Sequence, residues 1–347
     1  PSRIEVAFVL DTTGSMSGLI EGAKQKIWSI ANQMADAGQA VEIRIGLVGY
    51  RDRGDEYVTR LYDLTDDIDS IYGQLRAFRA DGGGDTPESV NQALHTAVTK
   101  MSWSEGRDVY KVVFLVGDAP PHMNYPDDVK YSESARLATE RDITLNTIQC
   151  GELPDTSRVW QQIAALGNGR YVAIQQDGAM FALATPMDED LSRLNRELAA
   201  TALPYGDERQ QEEIRAKLRQ SLSADAPAAA SRLSYLAKVG GKLNSGRGDL
   251  VDAMKDGLID LDALPDEELL PEEMRGMSAS EQQDYLQRRS AKREQIREEI
   301  AEVSRKRDAW VRVENERLAA EGRGDGFDQE VLEAIRSQAA EKGIRYE

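Results

Sequence analysis

Residues 4–16 read IEVAFVLDTTGSM, a run of mostly β-branched and apolar side chains that ends at Asp11. This composition is typical of a strand that is buried on both faces of a parallel sheet. Thr13 and Ser15 follow the acidic residue and place two hydroxyls at alternate positions. One carboxylate and two hydroxyls at the carboxyl end of a strand are hard oxygen ligands, which suit a hard divalent cation such as Mg2+.

Two later segments offer the same chemistry. Residues 82–88 read GGGDTPE and lead into an amphipathic pattern, in which Pro87 suits the first helical position and Thr86 the N-cap. Residues 111–118 read KVVFLVGD, a buried-strand pattern that ends at Asp118. Ligands of open α/β sheets bind at the carboxyl edge of the strands, so Asp118 and Asp11 are expected at the same edge.

These three segments resemble the von Willebrand factor type A (vWA) family. Residues 11–15 match the D-x-[ST]-x-S motif of its metal-ion-dependent adhesion site, with threonine at position 13 where many members have serine. Taken singly, these residues would be interpreted as caps and turn formers, but three loops in the family's order indicate a metal site. The resemblance implies that Mg2+, or alternatively Mn2+ or Ca2+, is bound by Asp11, Thr13, Ser15, Thr86 and Asp118.

The resemblance extends to a bacterial-type subgroup that includes the vWA domains found beside alpha-kinases. It rests on VGYRD at 48–52, GGGD at 82–85 and GDAP at 117–120. Asp52 and Asp85 add two carboxylates to the predicted metal-facing edge. Each is interpreted either as an acceptor that holds a bound water or hydroxyl ligand or as a turn residue.

The first two hundred residues alternate between strand and helix patterns, which predicts an α/β fold with a doubly wound, mostly parallel sheet. A short run near 58–63 is expected to be the antiparallel edge strand typical of vWA folds. Beyond residue 203 strand patterns vanish, so we expect a vWA domain over 1–203 and an α-helical C-terminal region over 204–347. A 43-residue stretch without Gly or Pro predicts one long helix near 279–321.

The apolar stripe of that long helix, from Ile296 to Val313, leaves two interpretations open. The stripe packs either against the chain's own helices or vWA domain, or against another chain in a coiled coil. The oligomeric state is therefore left open.

The formal charge of −18 argues against nucleic acid or an anionic membrane as a partner, because phosphate binding needs clustered Lys and Arg. No apolar run approaches the ~20 residues of a membrane span. Cys150 is the only cysteine, so it is expected in the core rather than in a disulfide. The start without methionine, together with a general resemblance to exported vWA proteins, favours a periplasmic or extracellular location, with the cytoplasm as the alternative.

The resemblance implies a binding module rather than an enzyme, in which the cation leaves one coordination position for an Asp or Glu of a partner protein. An alternative is a metal-dependent phosphatase-like hydrolase with Asp11 as nucleophile. Thr13 then occupies the place of the general acid, and threonine cannot act as an acid at neutral pH. A second alternative is an assembly factor that works with an AAA+ ATPase. Three Arg-Gly-Asp triplets, at 53–55, 247–249 and 323–325, are interpreted as turn segments rather than adhesive motifs.

Overall fold

A computed structural model describes residues 2–83, 86–178, 183–240, 242–244, 247–260, 267–322 and 326–346. Asp85 and the triplet 323–325 lie outside the described residues. The chain forms two compact units. The first comprises Pro1–Ala182 with Leu318–Glu347, and the second comprises Leu183–Arg317.

The first unit is built on a six-stranded sheet in the order β3-β2-β1-β4-β5-β6. Only β3 runs antiparallel, to β2, and the other pairs are parallel. This confirms the predicted α/β fold class with its antiparallel edge strand. The strands are β1 (Ser2–Asp11), β2 (Val41–Tyr50), β3 (Thr59–Thr65), β4 (Val109–Gly117), β5 (Ile143–Cys150) and β6 (Tyr171–Ile174).

Helices cover both faces of this sheet, which explains why the central strands β1 and β4 carry nearly continuous buried runs. On one face Val9 and Val113 pack with Leu94 and Trp160. On the other face Phe8 stacks on Phe114. The helices of this unit are α1 (Ser17–Met34), α2 (Ile68–Ala77), α3 (Val90–Lys100), α4 (Tyr131–Glu140), α5 (Pro154–Leu166) and α11 (Gly326–Ala339).

The helix α11 belongs to the first unit although it lies near the end of the chain. Its Phe327 ring lies 6.3 Å from that of Phe8, and Gln338 exchanges hydrogen bonds with the side chain of Asn146. The compact units therefore differ from the expected division at residue 203. By its composition α11 resembles the other charged helices of the C-terminal region. Its apolar side chains, however, are buried in the same unit as the sheet.

The second unit is helical and contains most of the long helix, which spans Ala279–Ala320 against the predicted 279–321. Ile296 and Ile300 are buried against leucines of neighbouring helices, whereas Val313 is 66% exposed. The apolar stripe thus packs partly within its own unit. The helices are α6 (Asp188–Ala199), α7 (Glu208–Leu222), α8 (Ala226–Lys238), α9 (Leu250–Lys255) and α10 (Ala279–Ala320).

A buried ion cluster lies inside the second unit. The Arg293 guanidinium is fully buried, bonds to the Asp249 carboxylate, and donates to Asp252 Oδ1 at 3.0 Å and to the Thr201 hydroxyl at 2.9 Å. Asp249 is the last residue of the triplet 247–249. Because it pairs with Arg293, this aspartate is committed to an internal ion pair.

Within the part of the chain that the structure describes, no helix is long and apolar enough to cross a membrane.

Candidate metal centre

A cleft of about 340 Å³ opens at the carboxyl edge of the sheet in the first unit. Four of the five predicted ligands line it, namely Thr13, Ser15, Thr86 and Asp118. The fifth, Asp11, is fully buried at the end of β1. Parallel strands bring their carboxyl ends to one edge, which explains how loops more than a hundred residues apart converge here. The remaining lining residues are Gly83, Glu88, Ala119, Cys150, Glu152, Leu153 and Gln176.

The motif 11–15 folds back on its own carboxylate. Asp11 Oδ1 accepts the Thr13 backbone N–H at 2.9 Å and the Thr13 hydroxyl at 2.6 Å. The Thr13 Oγ1 lies 3.3 Å from Ser15 Oγ. Because the Thr13 hydroxyl donates its proton to Asp11, the lone pairs of its oxygen remain available to a cation in the cleft.

The second carboxylate oxygen of Asp11, Oδ2, takes no part in these hydrogen bonds. Asp11 Oδ2 is buried and makes no hydrogen bond to any described residue. Burial raises the pKa of Asp11 to about 7, and the nearby Asp118 carboxylate adds to the rise, against the lowering effect of the Thr13 hydrogen bonds and of the nearby Asp118 backbone N–H. A buried carboxylate without a compensating cation is costly, so a cation in the cleft would stabilise this group.

Asp118 is held from two sides after β4 ends. Its backbone carbonyl accepts the Thr156 hydroxyl at 2.9 Å, and its Oδ2 accepts the Gln176 side-chain amide at 2.7 Å. The same Gln176 nitrogen lies 3.4 Å from the Ser15 carbonyl oxygen. Gln176 thus connects the first loop, which follows β1, to the third loop, which follows β4. Its segment carries no recognisable motif, and only the position of β6 in the sheet brings it here.

The second loop, which precedes α3, approaches the first loop through its backbone. Gly14 donates its N–H to the Gly82 carbonyl at 3.1 Å, and Gly83 has a φ of +72°. A β-carbon on Gly83 would lie 2.8 Å from Thr13 Cβ, so this close approach requires glycine.

The predicted helix cap at Thr86 is wrong. The helix α3 begins at Val90 with Ser89 at the N-cap position, and Thr86 lies in the preceding segment. The intervening Glu88 is extended, since its backbone pairs with the segment after Asp118 through the Pro120 carbonyl and the His122 N–H. That pairing prevents the helix from starting at Pro87. Thr86 is nevertheless exposed on the cleft, where the resemblance requires it.

Glu88 is a site residue that the sequence did not single out. Its side chain lines the cleft, the residue is 3% exposed, and Oε2 bonds to no described residue. Burial, reinforced by Asp11 and other carboxylates, raises its pKa to about 9. The sequence GGGDTPE contains this glutamate. Nothing in the neighbouring residues, however, distinguishes an acidic residue that lines a cleft from one in the first turn of a helix.

Asp52 does not line the cleft, and its contacts are with residues of the surrounding loops. It accepts the Ser89 hydroxyl at 2.7 Å and the Tyr125 hydroxyl at 2.9 Å, and His122 Nε2 lies 3.1 Å from Oδ2. It therefore connects the second-loop helix start to the segment after Asp118. Asp85, the other extra carboxylate, lies outside the described residues.

Cys150 ends β5 beneath the cleft and is 1% exposed, in keeping with the expected core position. Burial raises the pKa of its thiol well above the ordinary range. A thiol in that state is a poor nucleophile and a poor metal ligand.

The donor set of the cleft fits a hard divalent cation. Among the described residues no three His, Cys, Asp or Glu side chains form a metal-binding group by themselves. The set therefore depends on the hydroxyls of Thr13, Ser15 and Thr86, combined with the Asp11 and Asp118 carboxylates. Oxygen ligands of this kind suit Mg2+, Mn2+ or Ca2+.

Comparisons with known proteins find similarity over the part of the chain that contains the cleft. A model of the von Willebrand factor A domain matches residues 5–177. Over 122 residues the chain is 31% identical to an ariadne-like RING finger protein of Acanthamoeba polyphaga mimivirus. That match covers 34% of this chain and only 11% of the viral protein's length.

Among solved structures, the chain is similar to proximal thread matrix protein 1 from the mussel byssus. The identity is 16%, the TM-score is 0.37, and the match covers 51% of this chain and 42% of that one. It is also similar to the VWA domain of SpRpn10, with 14% identity, a TM-score of 0.38, and coverage of 51% and 89%.

Proposed function

We propose that this chain, whose residues 5–177 match the model of the von Willebrand factor A domain, is a metal-dependent protein-binding module. The cleft at the carboxyl edge of the sheet holds a divalent cation, Mg2+ before Mn2+ or Ca2+. The bound cation offers one coordination position to an Asp or Glu side chain of a partner protein.

The observation that carries this proposal is the arrangement of Thr13. Its hydroxyl donates to the buried Asp11 and lies 3.3 Å from the Ser15 hydroxyl, so two hydroxyl oxygens face the same cleft. Neutral hydroxyls bind a cation without cancelling its charge. A cation held in this way remains attractive to an outside carboxylate.

The two aspartates then have a supporting role. Asp11 orients the Thr13 hydroxyl and supplies negative charge from below, while Asp118 faces the cleft and is held by Gln176. The chain's formal charge of −18 opposes a strongly acidic partner surface. We therefore expect a single acidic side chain on a neutral or basic partner surface.

The hydrolase alternative is disfavoured by the burial of Asp11. A carboxylate nucleophile must reach its substrate, but Asp11 is 0% exposed and its Oδ1 accepts two hydrogen bonds from Thr13. The vWA domain is typical of interaction modules without catalysis, so we propose no catalytic residue. The AAA+ partnership and the periplasmic or extracellular location stay predictions.

Calorimetric titration tests the proposal. Mg2+, Mn2+ and Ca2+ are titrated into chelator-treated full-length protein and into the Ser15→Ala and Thr86→Ala variants. We expect one saturable site that both variants weaken at least tenfold. Ser17→Ala is the matched control, because Ser17 is an exposed serine next to the motif that does not line the cleft. Equal binding by all variants would refute the assignment of the site.

Partner binding is tested after the metal. Metal-loaded wild-type protein and the Ser15→Ala variant are immobilised and exposed to the same cell extract, with and without chelator. A partner of the proposed class is captured by the wild type in the presence of Mg2+ and is released by chelator. Replacement of its contacting Asp or Glu by Asn or Gln should abolish capture.

A further inference from the structure

We infer that Glu88 is a sixth cation-binding residue of the cleft, an inference that rests on the metal site proposed above. Its carboxylate lines the same cleft as Thr13, Ser15, Thr86 and Asp118. The residue is more than nine-tenths buried, and its Oε2 bonds to no described residue.

The position of the carboxylate relative to Thr13 follows from Gly83. The point where a β-carbon on Gly83 would lie is 3.2 Å from Glu88 Oε1 and 2.8 Å from Thr13 Cβ. The Glu88 carboxylate and the Thr13 side chain therefore lie close together, around the space that a side chain at position 83 would occupy.

The backbone of Glu88 is fixed independently of its side chain. The Glu88 N–H donates to the Pro120 carbonyl at 2.9 Å, and the His122 N–H donates to the Glu88 carbonyl at 2.9 Å. These bonds attach Glu88 to the segment that follows Asp118. Because both of these bonds use backbone atoms, the Glu88 carboxylate is not needed for this attachment and is available to the cation.

The consequence concerns the charge around the cation. With Glu88 the cleft offers this carboxylate as well as that of Asp118 to a cation of charge +2. The added carboxylate strengthens cation binding, since a unit charge a few ångströms away in a partly buried site changes affinity by at least about tenfold. It also gives the site a negative carboxylate on the wall formed by the second loop, beside Thr86.

The test compares two isosteric variants in the full-length chain. Glu88→Gln removes the carboxylate, and Glu152→Gln removes the other glutamate that lines the cleft. The affinity of each for Mn2+ and Mg2+ is measured by calorimetry at one pH. The Mn2+ electron paramagnetic resonance spectrum supplies a readout of the ligand environment. Melting curves in chelator check that both variants are folded.

We expect Glu88→Gln to weaken Mn2+ binding at least about tenfold and to change the Mn2+ spectrum, and Glu152→Gln to weaken binding less than about threefold. Equal losses in the two variants, or no loss in Glu88→Gln, would overturn the role of Glu88 and leave the metal site itself standing. Absence of metal binding by the wild type would overturn the metal site and this inference together.

Discussion

The Thr13 hydroxyl donates to Oδ1 of the fully buried Asp11 across 2.6 Å. This bond joins the only buried acid of the 11–15 motif to a hydroxyl that reaches the cleft. In the proposed metal site Asp11 would therefore act on the cation through Thr13 as well as through its own charge. Replacing Asp11 removes a carboxylate charge, whereas replacing Thr13 removes a hydroxyl. Variants of the two residues therefore test different parts of the proposed site.

Asp11→Asn should abolish metal binding while leaving the metal-free protein folded. Asparagine keeps an oxygen that can accept the Thr13 N–H and hydroxyl, but it removes the charge that offsets the cation. The measurement is Mg2+ titration combined with melting curves in chelator and in excess Mg2+. We expect Mg2+ to raise the melting temperature of the wild type only. A variant that Mg2+ stabilises as strongly as the wild type would contradict the assignment.

The same variant should show a pH-dependent stability difference in chelator. Burial raises the pKa of Asp11 to about 7, above the ~3.9 of an unfolded chain, so the folded state favours the protonated acid. The metal-free wild type therefore loses stability as the pH rises from about 4 to about 7, whereas asparagine cannot ionise.

We expect the free energy of unfolding of Asp11→Asn, relative to the wild type, to increase over that window. The increase is of order a few kcal/mol, because one unit of pKa shift corresponds to about 1.4 kcal/mol. Urea unfolding in chelator at several pH values measures it. A difference independent of pH would show that Asp11 ionises normally in the folded protein.

Phe327→Ala should destabilise the first unit by about 3–5 kcal/mol, the usual cost of truncating a buried phenylalanine. Phe327 is 2% exposed and its ring lies 6.3 Å from that of Phe8. Urea unfolding provides the measurement, with Leu166→Ala as control because Leu166 is 49% exposed. Equal effects in the two variants would show that α11 contributes little.

A fragment that ends at residue 203 lacks α11 entirely. We expect it to be poorly soluble, because the apolar surface around Phe8 loses its cover. A soluble, folded fragment with a cooperative melting curve would show that the first unit tolerates the loss of its last helix.

Arg293→Met should destabilise the second unit by about 3–5 kcal/mol. The change leaves the buried Asp249 carboxylate without the guanidinium that now neutralises it. Thermal unfolding measures the loss, and Arg209→Met is the control, since Arg209 is an exposed arginine on α7. An Arg293 variant as stable as this control would mean that the cluster contributes no net stability.

Sequence patterns predicted the sheet well. The strands of β1 and β4 are recognisable because burial on both faces demands continuous apolar runs, and β3 because it follows β2 too closely for a crossover helix. The order of the acidic and hydroxyl residues at strand ends predicted which loops meet. Four of the five predicted ligands line one cleft, and their role as ligands stays a prediction.

The cap at Thr86 shows where local reasoning failed. Proline and threonine before an amphipathic run are normal helix-start signals, but Glu88 makes backbone bonds to a segment more than thirty residues away. Tertiary pairing of this kind leaves no trace in a local window. It moved the helix start to Val90 and at the same time brought a glutamate to the cleft.

The sequence by itself determined the strand and helix pattern and the chemistry at the strand ends, because periodicity and residue type are local properties. Only the tertiary structure decided that α11 belongs with the sheet, that Gln176 holds Asp118, and that Glu88 lines the cleft together with Thr13. Each of these depends on contacts between residues far apart in the chain. A sequence pattern shows that a side chain is buried, whereas the fold decides what it is buried against.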